Sequence, residues 1–195
     1  MDYLHLDKNK VDVVARHLNE LLASYQLHYQ KLRNFHWNLK SQDFFTLHEK
    51  FEQFYTDANE KIDDLAERIL TLRVKPISQL SEYLRVSQIT ECPEYLNYTQ
   101  MVKEVLNDYS VLIKISRQVL EAASDANDEG TVDMLGGYVG QLEKNCWMLS
   151  SYLEKHNPRS VEVDETQTPS LDRAAERANK IGKEKTANTK GKAKA

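Results

Sequence analysis

Phe44 to Arg73 reads FFTLHEKFEQFYTDANEKIDDLAERILTLR. Its apolar residues Phe44, Leu47, Phe51, Phe54, Ala58, Ile62, Leu65, Ile69 and Leu72 recur at three- and four-residue steps, the period of one helix face. No glycine or proline interrupts the stretch, and Pro76 ends it. The same helix carries His48, Asp63 and Glu67. Asp63 and Glu67 are four apart and share a face. His48 lies on nearly the same face but fifteen residues earlier. At a rise of ~1.5 Å per residue that is about 22 Å along the axis. One straight helix cannot bring His48 and Asp63 to one ion. Two copies, antiparallel across a two-fold axis near Tyr55, can set His48 of one chain opposite Asp63 of the other. A second imidazole, His36, stands in Phe35-His36-Trp37-Asn38. Imidazoles with carboxylates suit a divalent transition metal such as iron or zinc. The spacing therefore predicts a metal site shared between subunits.

Outward from this helix the same periodicity continues. Val14, Leu18, Leu21, Tyr25, Leu32 and Phe35 predict a first helix over about 8–39. Ser41 or Asp43 is placed to cap the second. Residues 77–90 read as a short amphipathic helix within a connection, and Cys92-Pro93 as a break. A third helix is expected over about 95–123, with Met101, Val105, Leu112, Ile115, Val119 and Leu120 inward. Asp125 to Gly130 reads as a polar loop, and a fourth helix follows over about 131–155. Gly136, Gly137 and Gly140 lie inside it, each costing up to ~1 kcal/mol against alanine. Close helix packing is one explanation for them. Asn157-Pro158 ends the folded part. The fold class is all-α: a four-helix bundle with one long connection that holds a short extra helix, as in ferritin-like folds. Residues 1–158 form this domain. Residues 159–195, almost without large apolar side chains, form a disordered, Lys-rich tail with a helical stretch possible near Leu171–Ile181.

Composition narrows the class further. At 41% hydrophobic residues the chain can bury a substantial core. Cys92 and Cys146 are too few for a disulfide scaffold, which points to a reducing compartment. No apolar run is long enough to span a bilayer, and Met1-Asp2-Tyr3 does not open a signal peptide, so a cytoplasmic protein is expected. The net charge of −4 is uneven. Residues 177–195 carry Arg177, Lys180, Lys183, Lys185, Lys190, Lys192 and Lys194 against Glu184 alone, so this segment is +6 and the remainder −10. An acidic body with a basic tail suits a polyanionic partner such as DNA.

A buried di-iron bundle uses Glu-x-x-His on two helices. Neither His36 nor His48 has a carboxylate three residues before it, which argues against an ordinary intrachain centre. The segments Asn34-Phe35-His36-Trp37-Asn38, Asp43 to Phe51 and Ile62 to Ile69, with Lys144-Asn145-Cys146-Trp147-Met148-Leu149, closely resemble the Dps family. These are the DNA-binding proteins from starved cells, dodecameric mini-ferritins. The resemblance spans roughly residues 8–156. It implies a ferroxidase site across a dimer interface, with His36 and His48 from one subunit and Asp63 and Glu67 from its partner. Family members often carry an aspartate four residues after the second histidine; Glu52 holds that place here, between a second-metal ligand and a solvated side chain. Trp37 is implied beside the iron as an electron donor. Asp128, Glu129 and Asp133 resemble acidic iron-entry pores at three-fold axes.

The implied reaction oxidises Fe²⁺ with hydrogen peroxide, stores ferric iron in a hollow shell and protects DNA, without an organic cofactor. A structural nucleoid protein, binding DNA without sequence preference through its tail, is the alternative. A helical oligomer that uses the site for zinc is a third. Plainer readings stand beside these. His28, on the inward stripe, is a satisfied core histidine, and His5, His17 and His156 are surface residues. Asp64 is a surface charge, and Arg68 pairs with a carboxylate. Trp147 and Met148 pack in the core, and both cysteines are inert. Acids at the start of the fourth helix also suit its dipole.

Overall fold

The computed structural model describes residues 4–92 and 96–155. They form α1 (Lys8–Asn38), α2 (Phe44–Thr71), α3 (Leu80–Val86), α4 (Tyr98–Ala126) and α5 (Glu129–Lys155). No strand occurs among the described residues. α1 packs against α2, α4 and α3, and α4 against α5. This is the expected four-helix bundle with a short helix in its long connection.

The apolar stripes explain the assembly. Val14, Leu18, Leu21, Tyr25, Leu32 and Phe35 of α1 are buried, facing Leu47, Phe51, Phe54, Ala58, Leu65 and Ile69 of α2 in one continuous core. Met101, Val105, Leu112, Ile115 and Val119 of α4 close it, and Leu135, Leu142 and Leu149 of α5 complete it. Steps of seven between those three leucines put Trp147 and Met148 off the inward stripe. Both are exposed, Trp147 by 68%, so the expected core packing is corrected.

The helix ends show where local chemistry set boundaries that periodicity left approximate. Asp7 caps α1 by accepting from the amides of Asn9 and Lys10 at 2.8 and 3.3 Å. α4 starts at Tyr98 because Asn97 and Gln100 satisfy each other's amides at 3.0 and 2.9 Å, a capping box. The polar loop expected over 125–130 is far tighter. Asn127 adopts a left-handed conformation (φ 54°, ψ 40°) and reverses the chain between α4 and α5. α2 ends before Pro76 does any work, at Thr71, with Arg73 in the left-handed region (φ 63°). Asp43 stands at the start of α2 but its carboxylate does not cap it. It accepts instead from the Tyr152 hydroxyl at 2.9 Å, tying α2 to the end of α5.

Other long polar side chains join α2 to α5. The Tyr138 hydroxyl donates to Asp64 at 2.8 Å, so Asp64 is more than a surface charge. Gln141 donates to Asp57 at 3.0 Å, and Asp57 also pairs with the buried Lys61. Arg68 pairs with a carboxylate, as expected: Asp128. Gly130 leaves room for this, since a Cβ there would meet the Arg68 guanidinium at 3.1 Å. Asp128 also accepts from the Thr131 amide at 3.1 Å and its hydroxyl at 2.6 Å, capping α5. Asp128→Ala should therefore cost about 1–3 kcal/mol, read as a lowered thermal midpoint at fixed protein concentration. An unchanged midpoint would show the cap to be idle.

Gly136, Gly137 and Gly140 are exposed, and a Cβ on any of them meets nothing within 4 Å. Packing inside the chain does not explain them. The boundary at Pro158, the tail from residue 159, the stretch near Leu171–Ile181 and His156 lie outside the described residues.

Candidate metal centre

α1 ends two residues after His36, and His48 sits in the second turn of α2. The short connection folds the two helices back on each other and brings the imidazoles face to face. Their ring centroids are 3.7 Å apart, with planes 20° from parallel. His36 Nδ1 lies 2.9 Å from the His48 carbonyl, and His48 Nδ1 lies 3.0 Å from the His36 carbonyl. A carbonyl can only accept, so each Nδ1 carries the proton and donates it. In the neutral imidazole, Nε2 is then the nitrogen without a proton, and its lone pair can bind a metal. Metal-binding histidines are commonly oriented in this way, through the second ring nitrogen.

Aromatic neighbours hold the pair in place. Phe44, four residues before His48 on α2, stacks on it with centroids 5.0 Å apart. Tyr55, seven residues after His48, meets His36 edge-on at 5.4 Å. Its hydroxyl donates to Glu52 Oε1 at 3.3 Å. Burial first, and then the charge and hydrogen bond of Glu52, push the Tyr55 phenol above its ordinary range. Trp37 is 58% exposed, and the Arg33 guanidinium lies 4.7 Å from its ring centre.

The carboxylates are placed differently. Glu52, Asp63 and Glu67 are all exposed on α2. Among the described residues of one chain, no three His, Cys, Asp or Glu side chains converge into a metal pocket. The fold brings His36 and His48 together and leaves Asp63 and Glu67 further along the straight helix.

The remaining expectations divide. Glu129 and Asp133 are exposed on the first turns of α5, whereas Asp128 is buried in the cap and in its pairing with Arg68. Arg177 and the six tail lysines lie outside the described residues. His28 is buried as expected, 2.9 Å from Asp108. His5 is exposed, while His17 is half-buried beside Glu20 at 3.6 Å. Cys92 and Cys146 are free, and burial pushes both thiols up, which keeps them protonated and unreactive. The residues that sequence reasoning passed over are Tyr55 as a partner of His36, and Phe44 as a partner of His48. Their spacing of seven and four from His48 places them on its face of α2, which is the signal that could have found them.

Among known proteins, residues 15–157 match the family model of the ferritin-like domain. A DNA protection during starvation protein of Brevibacillus brevis is 42% identical over 142 residues, covering 73% of this chain and 95% of that protein. A second protein of that name, from Bacillus anthracis, is 40% identical over 138 residues, covering 71% of this chain and 94% of its own length. The crystal structure of a Dps protein from Vibrio cholerae O1, described as a ferritin-like diiron-carboxylate protein, superposes with a TM-score of 0.76. It is 39% identical and covers 78% of this chain and 96% of its own. The family model spans the helical bundle from residue 15 to 157 and the relatives cover most of the chain at about 40% identity, so the chain belongs to the Dps family of ferritin-like proteins.

Proposed function

We propose that the chain oxidises Fe²⁺ with hydrogen peroxide at sites shared between two subunits and stores the ferric product inside a shell of twelve. The observation that carries this reading is the stacked pair of imidazoles, His36 and His48, each with its Nδ1 donating to the other's carbonyl, which commits Nδ1 and leaves Nε2 as the nitrogen for a metal. Asp63 and Glu67 of a two-fold-related copy supply the anionic half of the site. Neutral nitrogen with anionic oxygen binds Fe²⁺ and favours the more highly charged Fe³⁺. Glu52, one turn beyond His48, is placed to assist a second Fe²⁺. Two irons together give two electrons to one peroxide, which with two protons leaves as two waters rather than as hydroxyl radical. Glu129 and Asp133 would draw Fe²⁺ towards the shell electrostatically, with Asp128 holding the helix that presents them.

The test is anaerobic Fe²⁺ oxidation started by peroxide. Fast oxidation that is lost in the His36→Ala/His48→Ala variant, with the shell intact, supports the reading. Equal rates in wild type and variant would refute it. Iron analysis after exposure to both metals separates this reading from a zinc site.

Protection of DNA, in the cytoplasm or on the nucleoid, joins the same proposal. The relatives are named for it, and the +6 segment at residues 177–195 supports direct contact. Twelve such tails would present ~70 positive charges, and multivalency multiplies weak phosphate contacts. Truncation after Pro158 is expected to abolish gel shifts at low salt while leaving iron oxidation in place. Unchanged shifts would remove the tail from DNA binding. Loss of DNA protection together with unchanged iron chemistry would favour the mainly structural, nucleoid-compacting role.

A further inference from the structure

The rings around His36 bear on how a half-filled site completes its reaction, given the iron-oxidising role proposed above. Peroxide needs two electrons to become water, and one Fe²⁺ supplies one. A site holding a single iron is one electron short. Either a side chain supplies the second or the reduction stops at hydroxyl radical.

Trp37, Tyr29 and Tyr55 are the oxidisable rings nearby, and their electrostatic settings differ. Arg33 lies between Tyr29 and Trp37 along one face of α1, its guanidinium 5.3 Å from the Tyr29 centroid and 4.7 Å from that of Trp37. A cation on a ring face is attracted to the neutral ring and opposes positive charge forming there. Both rings are thereby made harder to oxidise. At Tyr55 the opposite charge dominates, since Glu52 outweighs Arg33 there. Its hydroxyl donates to the Glu52 carboxylate at 3.3 Å, and its ring meets His36 edge-on at 5.4 Å. A phenol with a carboxylate acceptor can release its proton as its electron leaves, so that no charge remains on the ring. Tyr29 lies edge-on to Tyr55, with ring centroids 6.1 Å apart.

We infer that Tyr55, and not Trp37, is the side chain that gives the second electron when a site holds one iron. Fe²⁺, the Tyr55 phenol, hydrogen peroxide and one further proton yield Fe³⁺, a neutral Tyr55 phenoxyl radical and two waters. The phenol O–H bond and the peroxide O–O bond break. The phenol proton passes by way of Glu52 to a leaving oxygen. When a second Fe²⁺ is present, iron supplies that electron and the tyrosine is spared.

The assembled full-length protein, loaded anaerobically with one Fe²⁺ per site and mixed with peroxide, is freeze-quenched for electron paramagnetic resonance. A neutral tyrosyl signal is expected. It should be lost in Tyr55→Phe, which keeps the ring against His36 and Tyr29, and retained in Trp37→Phe. A ring that only packs beside His36 would leave the signal unmoved. A tyrosyl signal surviving Tyr55→Phe overturns the inference, as does a tryptophanyl signal removed by Trp37→Phe. Iron oxidation that depends on His36 but gives no radical overturns it while leaving the iron site standing. Iron oxidation equally fast in His36→Ala overturns both.

Discussion

Shells of His36→Ala and of Asp63→Ala, each slow to oxidise Fe²⁺ alone, are expected to recover activity when their subunits are dissociated and reassembled together. Each substitution should slow peroxide-driven oxidation by at least the roughly 10–100-fold that follows loss of even an outer partner of a metal ligand. In a mixed dimer the two lesions fall on the same site. The other site receives intact histidines from the Asp63→Ala subunit and intact acids from the His36→Ala subunit. Random pairing makes half the dimers mixed, so about a quarter of all sites return. Mixing His36→Ala with His48→Ala is the control. There both sites of every mixed dimer lack a histidine, and nothing should return. No recovery in the first mixture despite intact shells would show that the histidines and acids of one site come from a single chain, and recovery in the control would show that the two histidines of a site come from different chains.

That expectation descends from a feature visible in the sequence. Fifteen residues separate His48 from Asp63 on one uninterrupted helix, and a rigid helix makes this a distance rather than a count. The fold was legible for a similar reason: in α1, α2 and α4 the inward stripes repeat without glycine or proline. Reading failed where composition competed with phase. Trp147 and Met148 are apolar, yet the leucines at 135, 142 and 149 already define the buried face of α5. Reading also failed where one backbone conformation decided the outcome, as at Asn127. Within the candidate site, residue types and spacing singled out His36, His48, Asp63 and Glu67 as candidates. The orientation of their rings was hidden, because His36 and His48 lock each other only after the α1–α2 turn has closed. Tyr55 marked the dimer axis in the sequence, and its contact with His36 emerged only from the packing of α1 on α2.

The buried charges between α1 and α4 were hidden for the same reason, and they support the largest expected change in stability. Asp108 falls on the stripe that runs from Val105 to Leu112, where an acid has no place unless it is paired. Its carboxylate accepts from Lys31 Nζ at 2.7 Å and meets His28 Nδ1 at 2.9 Å, and all three residues are buried. Glu104 lies further from Lys31, at 3.8 Å. Asp108→Ala would leave the Lys31 ammonium facing only that distant carboxylate, and His28 without its acceptor. Such a loss costs about 3–5 kcal/mol, because the stranded charge keeps its desolvation penalty without its partner. Urea unfolding at fixed protein concentration measures it, since assembly also stabilises the subunit. If the cost comes from stranded charge rather than from an empty volume, removing the partners should recover it. Replacing His28, Lys31 and Asp108 together with apolar residues of similar size is therefore expected to lie close to wild type. A triple variant as unstable as Asp108→Ala would assign the loss to packing instead.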